Sequence, residues 1–333
     1  MTRDPPVSTQ GAPARFAVAD IGGTNARFAR VSRDADGRID LAEPLVLATA
    51  DFAGLTEAWR AFLDRQPGFE PDGAAFALAG PVGGDRFSLT NANWSFDVGT
   101  LPDELGVSRT ILLNDFEAIA HAIAGDLRAD HLEHIAGSEG HLPGDARISV
   151  IGPGTGLGVA HFRCDGGHSL IQPTEGAHID FPPVCELDDR VLALLREVHG
   201  RVSVERVVSG DGIRWIHAAM TGRDVQPDEL PIWKAGLDGS DEIAARAVRH
   251  FVKTLGRVAG DYALAQGSGG VVLAGGLGLR LRSLLSDPVF RSGFTAKGRY
   301  RAMLQAMPVK LITHPQPGLL GAVRAYLAQI DAR

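Results

Sequence analysis

The sequence predicts an α/β protein built of two related halves. Three observations carry this expectation. Strand-like and helix-like segments alternate along the 333 residues. A pattern of strand, glycine turn and strand occurs twice, about half a chain apart. Three glycine-rich turns, DIGGTN, GPGTGLG and AGGLG, each follow an apolar run that reads as a buried strand.

Taken in order, residues 16–20 and 26–31 form strands on either side of DIGGTN, so the first element is a β-hairpin. A helix pattern covers 52–64, with Leu55, Trp59 and Phe62 at helical spacing. The run 74–79 stops at Gly80-Pro81. RTILLNDF supplies a buried strand over 110–113, and either Asn114 or Asp115 can cap the helix that follows. RISVI then ends at Gly152, and 159–162 returns as a strand. Residues 240–266 read as one long helix or two joined near Gly256 and Gly260, with Ser240 as N-cap and Asp241 and Glu242 favouring the first turn. GGVVLAGGLGLRL is a buried strand, a double glycine and a new helix. VKLIT is the last strand, and the closing helix starts at Pro317.

Composition narrows the function classes. With 44% hydrophobic and 22% charged residues the chain is of ordinary globular make-up. The net charge is −7 and no basic block occurs, which speaks against a nucleic-acid partner. No apolar run approaches the ~20 residues of a membrane span. Cys164 and Cys185 are too few for a disulfide framework or a four-cysteine zinc site, and read as reduced thiols. Residues 1–15 are polar and proline-rich, lack an apolar signal core, and read as a disordered tail of a cytoplasmic protein.

Each glycine turn taken alone reads first as a tight structural turn. Together they point to phosphate binding of an unusual kind. A Walker loop needs a Gly-Lys pair, and none exists. A dinucleotide fingerprint opens a helix, whereas Gly152, Gly154, Gly156 and Gly158 recur at every second residue and lead into a strand. The protein-kinase strings H-R-D and D-F-G are absent. What remains is a hairpin-borne site, in which glycine lets backbone N–H groups reach phosphate oxygens. Thr24 and Thr155 add hydroxyl donors, and Asp20 at a strand end can hold Mg²⁺ through water.

These residues resemble a known family. DIGGTNARFA (20–29), GPGTGLGVAH (152–161) and VVLAGGLGLRL (271–281) look like the two phosphate motifs and the adenosine motif of the bacterial glucokinases. The match is to the non-ROK group of the hexokinase–actin–Hsp70 superfamily. AGPV, LTNANWSF, LNDFEAIA, PTEGAHIDF, VERVVSGDGI and HPQPGLLGA extend the likeness over nearly the whole chain. ROK sugar kinases share the first loop but carry a cysteine-rich zinc motif, and only Cys185 lies near that position. Their repressor relatives carry an N-terminal helix-turn-helix, for which 1–15 leaves no room.

The resemblance implies a two-lobed actin-like (ribonuclease H-like) fold with an interlobe cleft. The small lobe would be 16–124 plus 312–333 and the large lobe 125–311, in a homodimer. It implies ATP-dependent phosphorylation of D-glucose to glucose 6-phosphate and ADP, feeding glycolysis. The ATP phosphates and Mg²⁺ would lie against Asp20, Gly22, Gly23, Thr24 and Asn25 and against Gly154, Thr155 and Gly156, with adenine at Gly275 and Gly276. Asp115 would be the general base for the 6-hydroxyl, with Asn114, Glu175, His178 and Glu205 on sugar hydroxyls. Thr90 and Asn91, with Gly80-Pro81, would line the opposite wall. Read without the family, Glu175 and His178 could be two ligands of a metal with no evident third, and Glu205 a helix-surface glutamate. Trp94 reads as a core aromatic before a sugar-stacking one. Arg27 is either structural or phosphate-facing. Rival functions are another hexose or amino-sugar kinase, a sugar-sensing regulator, and a filament or chaperone ATPase, and polyphosphate or ADP is an alternative donor.

Overall fold

The computed structural model describes residues 14–89, 93–125, 127, 129–165 and 168–331. The chain forms two compact units, Met1–Leu127 with Pro315–Arg333, and Arg128–His314.

In the first unit, β1 (Ala14–Ile21) and β2 (Asn25–Arg33) form an antiparallel hairpin with Asp20 opposite Arg27. Ala14 and Arg15, expected in the tail, already pair with Arg33 and Ser32. β3 (Ile39–Leu41) and β4 (Leu45–Ala48) both pair with β2. β5 (Gly73–Leu78) lies parallel to β1. β6 (Arg86–Ser88) and β7 (Ser95–Asp97) make a separate two-stranded sheet. β8 (Thr110–Asn114) lies parallel to β5, which gives the order β3-β2-β1-β5-β8.

This sheet is buried on both faces, because the side chains of β1 alternate between two cores. Ala17, Ala19 and Ile21 join Phe28, Trp59, Phe62 and Phe76 on one face. Phe16 and Val18 join Leu319, Val323 and Tyr326 on the other. The helix Leu55–Asp64 starts three residues later than the periodicity predicts, after a 3₁₀ turn at Thr49–Asp51. The helices Asp115–Ala124 and Pro317–Asp331 cross so closely that any side chain at Gly321 would collide with the Ala118 carbonyl. Trp94 is a core residue whose Nε1 donates to the Phe52 carbonyl at 3.0 Å.

The second unit repeats the theme. β9 (Leu132–Ala136), β10 (Arg147–Pro153), β11 (Leu157–Asp165), β12 (His168–Thr174), β13 (Ser268–Leu273) and β14 (Val309–Ile312) form a sheet of order β12-β11-β10-β13-β14-β9. β10 and β11 make the antiparallel hairpin, and β13 and β14 continue parallel to β10. Thus β2-β1-β5-β8 and β11-β10-β13-β14 share one topology, which is the duplication expected from the glycine turns.

Residues Glu242–Gln266 form one uninterrupted helix. Gly256 and Gly260 are not joints. They clear space for the backbone of the helix Pro288–Phe294, whose Phe290 and Phe294 carbonyls would strike any side chain there. The N-cap is Asp241 rather than Ser240, and its carboxylate accepts the Ala244 N–H at 2.8 Å. Both cysteines are free thiols. Among the described residues no helix is long and apolar enough to cross a membrane.

One buried carboxylate organises this unit. Asp188, in the helix Glu186–His199, contacts His250 Nε2 at 2.9 Å, Arg257 Nη1 at 2.6 Å and the Val184 N–H at 3.0 Å. Cys185 completes a group whose ligand atoms lie within 4.8 Å of one another. The Arg257 guanidinium already holds Asp188, so a metal cation placed there would meet a positive charge. Burial raises the Asp188 pKa, but the hydrogen bonds from His250, Val184 and Arg257 outweigh it and hold the carboxyl well below its ordinary range. A depressed native pKa contributes stability that is complete above the unfolded value of about 3.9 and is lost as pH falls toward the native one. Asp188→Asn is therefore expected to lower unfolding stability at pH 7 by about 3–5 kcal/mol, because it strands the buried Arg257 charge. It should also flatten the acid limb of the stability profile, and urea titrations from pH 3 to 7 measure both effects.

Candidate functional site

The register of each sheet decides where its loops emerge. In the first unit Ile21 pairs with Leu78, and Leu78 with Asn114. The three parallel strands therefore end level, and Asn114 lies two strands, about 10 Å, from Ile21. The glycine turn after β1 and the helix after β8 thus open at one sheet edge, the carboxyl edge where α/β proteins place their ligands.

The turn itself is tightly held. Gly22 N–H donates to Asn25 O at 2.9 Å, and Thr49 donates through its N–H to Thr24 O at 2.9 Å and through Oγ1 to Gly22 O at 3.0 Å. Burial pushes the Asp20 carboxyl up, and the Arg27 guanidinium across the hairpin pulls it back. Arg27 therefore acts on Asp20. Gly318, at the start of the closing helix, lets that helix come so close that a Cβ would lie 3.0 Å from Asp20 Oδ2. A carboxylate whose burial disfavours its charge suits a hard divalent cation, which would relieve that penalty.

At the other end of this edge, Asn114 is the N-cap. Its Oδ1 accepts from Phe116 N at 2.9 Å and Glu117 N at 3.4 Å, and the Glu117 carboxylate returns a bond to the Asn114 N–H at 3.2 Å. Asn114 Nδ2 donates to Gly80 O at 3.0 Å, which ties the Gly80-Pro81 turn to β8. Because Asn114 takes the capping role, Asp115 is left at the first helical position, where its Oδ1 accepts the Phe116 N–H at 2.9 Å. The positive end of the helix dipole favours the anion there. Thr90 and Asn91 lie outside the described residues.

In the second unit Ile151 pairs with Leu273, and Leu273 with Leu311, so the same levelling recurs. Gly154 N–H bonds Gly156 O at 2.8 Å across the hairpin tip. The double glycine after β13 lies directly beside it: Ala274 N–H donates to Ile151 O at 2.9 Å, and a Cβ on Gly275 (φ +87°) would sit 3.0 Å from Pro153 O. Gly276 opens the short helix Gly276–Arg280. A cavity of about 510 Å³ beside Arg280 is lined by Leu230, Trp233, Lys234 and Leu237.

β12 ends at Thr174, which pairs with Val159 of β11, so the next residues run past the start of β11. There Gly176–His178 forms a 3₁₀ turn with Glu175 before it, placing Glu175 Oε2 3.7 Å from His178 Nε2, both side chains exposed. Tyr262, from the long helix, donates its hydroxyl to Gly176 O at 2.7 Å. Arg201 donates to the His178 carbonyl. Burial, followed by the Asp261 and Glu205 carboxylates, pushes the Tyr262 phenol above its ordinary pKa, so it stays a donor. Glu205, in the short helix Val204–Val207, accepts the Leu157 N–H at 3.0 Å. It is not the surface glutamate its local sequence would indicate.

Each unit thus gathers its predicted residues at one edge: Asp20, the Gly22–Asn25 turn, Asn114 and Asp115 in the first, and Gly154–Gly156, Gly275, Gly276, Glu175, His178 and Glu205 in the second. The sequence alone assigns no role to Thr49 or Tyr262, and it shows Gly318 only within HPQPGLLGA, without its contact to Asp20. All three act on partners 25 or more positions away, which local sequence does not reveal.

Comparisons with known proteins bear on the family and the fold. A family model described as glucokinase matches residues 17–329. A glucokinase of Zymomonas mobilis subsp. mobilis is 44% identical over 312 residues, covering 92% of this chain and 96% of that protein. One of Paramagnetospirillum magneticum is 39% identical over 315 residues, covering 91% and 95%. The crystal structure of a glucokinase from an Antarctic psychrotroph has a TM-score of 0.81 at 33% identity, over 95% of this chain and 99% of that one.

Tyr262→Phe tests how the Glu175–His178 turn is held. Leaving the Gly176 carbonyl without its donor is expected to cost about 1–3 kcal/mol of stability, read by urea denaturation. A change below a few tenths of a kcal/mol would mean that the bond does not hold the turn.

Proposed function

The chain belongs to the glucokinase family, and on that footing we propose that it transfers the γ-phosphoryl group of ATP to the 6-hydroxyl of D-glucose, giving glucose 6-phosphate and ADP. The observation that carries the reading is the level ending of β1, β5 and β8. It brings Asp115 to the same edge as the Asp20 turn. Within the family, the motif set and a cysteine count of two support the non-ROK group. The shared topology of the two sheets supports the hexokinase–actin–Hsp70 superfamily. A cytoplasmic homodimer rests on family resemblance.

The chemistry follows from the residues. Asp115, anionic at the helix start, accepts the proton of the 6-hydroxyl as its oxygen bonds to the γ-phosphorus. The bond to the β,γ-bridging oxygen breaks in line, and ADP leaves. Glu175, His178 and Glu205 bind sugar hydroxyls, each of which both donates and accepts, and Asn114 offers its second amide hydrogen. Thr90 and Asn91, with Gly80-Pro81, would line the opposite wall of the sugar pocket. Backbone amides of the Gly22–Asn25 and Gly154–Gly156 turns, other than those of Gly22 and Gly154 that bond within their own turns, hold the phosphates, aided by the Thr24 and Thr155 hydroxyls. The adenine lies against Gly275 and Gly276, at the start of the short helix Gly276–Arg280. Asp20 would hold Mg²⁺ through water, and the ion supplies charge neutralisation on the phosphate oxygens. Positioning and electrostatics, with no covalent intermediate, supply the rate.

A sugar-by-donor activity matrix on the purified protein tests the whole reading, with ATP and glucose expected as the best pair. Asp115→Ala is expected to reduce kcat by about 100- to 10,000-fold, with glucose affinity falling modestly; activity within tenfold of wild type removes the base assignment. Glu175→Gln or His178→Ala is expected to raise the glucose KM roughly 5- to 150-fold, the equivalent of a lost contact worth about 1–3 kcal/mol, with little change in the ATP KM. An equal rise in both constants would place these residues outside the sugar pocket.

A further inference from the structure

Glu205 does more than its place in a sugar pocket requires. One carboxylate oxygen, Oε2, accepts the N–H of Leu157, the residue directly after Gly154-Thr155-Gly156. The same oxygen lies over Gly156, so that a Cβ added there would be 2.5 Å from Oε2 and 3.2 Å from the carboxyl carbon. A side chain at Gly156 would therefore displace the carboxylate, which occupies that space. Five residues on, Gly210 N–H donates to Gly154 O at 2.7 Å, and Trp233 Nε1 donates to Gly210 O at 3.0 Å. Segment 205–210 thus grips the hairpin tip on both sides.

The other end of this segment is tied to the Glu175–His178 turn. Val204 N–H donates to the carbonyl of Ile179, the residue after His178, at 2.9 Å, and Asp180 bridges Ser203. The charge of Glu205 also reaches Tyr262, which holds Gly176. A short helix therefore connects two loops with different tasks, and its one carboxylate touches the phosphate-side loop directly.

We propose that Glu205 is a positioning residue for the 154–157 hairpin, so that sugar bound at the Glu175–His178 turn and phosphate bound at the hairpin strengthen each other. The inference rests on the kinase reading above. A hydroxyl on Oε1 orients the carboxylate, the carboxylate orients Leu157 N–H, and the hairpin amides stand ready for phosphate. By linkage the enhancement is the same in both directions.

The test is glucose titration of the full chain, by calorimetry, with and without a non-hydrolysable ATP analogue and Mg²⁺. The wild type is expected to bind glucose at least about fivefold more tightly with the analogue present. Gly156→Ala, which drives Oε2 off Leu157, should bring that ratio to within twofold of one. Glu205→Asp, which draws the carboxylate back by a methylene without crowding the turn, should do the same, and it serves where Gly156→Ala does not fold. Glu205→Gln keeps an oxygen acceptor for Leu157 N–H and should retain the ratio, a rescue that mere loss of packing would not produce. The inference falls if Gly156→Ala and Glu205→Asp keep the full ratio, or if Glu205→Gln loses it as completely as they do. A wild type that binds both ligands with no mutual enhancement overturns the inference and leaves the kinase reading standing. A wild type that binds neither overturns both.

Discussion

The hydrogen-bonded register of the parallel strands is the constraint from which the rest follows. A backbone ladder admits only whole-residue steps, and a slip of one residue sends every side chain to the opposite face. In the first unit both faces of β1 are already filled, by Trp59 and Phe62 on one side and Leu319 and Tyr326 on the other. Register is therefore set by two cores at once. That rigidity fixes the level at which β1, β5 and β8 end, and so fixes Asp20 and Asp115 at a common edge. The second unit obtains the same result with Ile151, Leu273 and Leu311.

Close backbone approach is the second theme, and it separates glycines by purpose. Gly321, Gly256 and Gly260 bring helices together where a methyl group would strike a carbonyl. Gly318 brings the closing helix against Asp20, and Gly156 receives a carboxylate. The first group serves packing density, for which overfilled cores typically lose about 1–3 kcal/mol. The second group sets the distance between a backbone and a charged side chain, which decides what a ligand meets. Identical residue types thus serve different ends, and only their neighbours tell them apart.

Charge is handled differently in the two units. Asp188 is held ionised among His250, Arg257 and a backbone amide, far in sequence from any phosphate motif, and it ties two helices together. Asp20 has one cationic neighbour across its hairpin and a net upward push from burial. The first arrangement satisfies the carboxylate from within the protein. The second would be improved by a cation, in keeping with the Mg²⁺ role proposed for Asp20.

Much of this was legible in the residues alone. Apolar periodicity located the hairpins, the buried strands and the long helix, because burial repeats with the geometry of each element. The glycine turns marked where tight hairpin tips form at the ends of buried strands, and the phosphate-binding role proposed for them rests on the close backbone approach that glycine admits. Caps were less secure: Asp241 and Ser240 are chemically alike and adjacent, and the dihedral angles that choose between them depend on the chain leading in. The role of Glu205 was beyond local reading, since its partner Leu157 is 48 positions away and nothing in VERV announces it. Tyr262 and Thr49 were hidden for the same reason. Sequence pattern records what each segment does to water; which distant groups come to share a hydrogen bond is set when the sheets close their registers and the helices pack down.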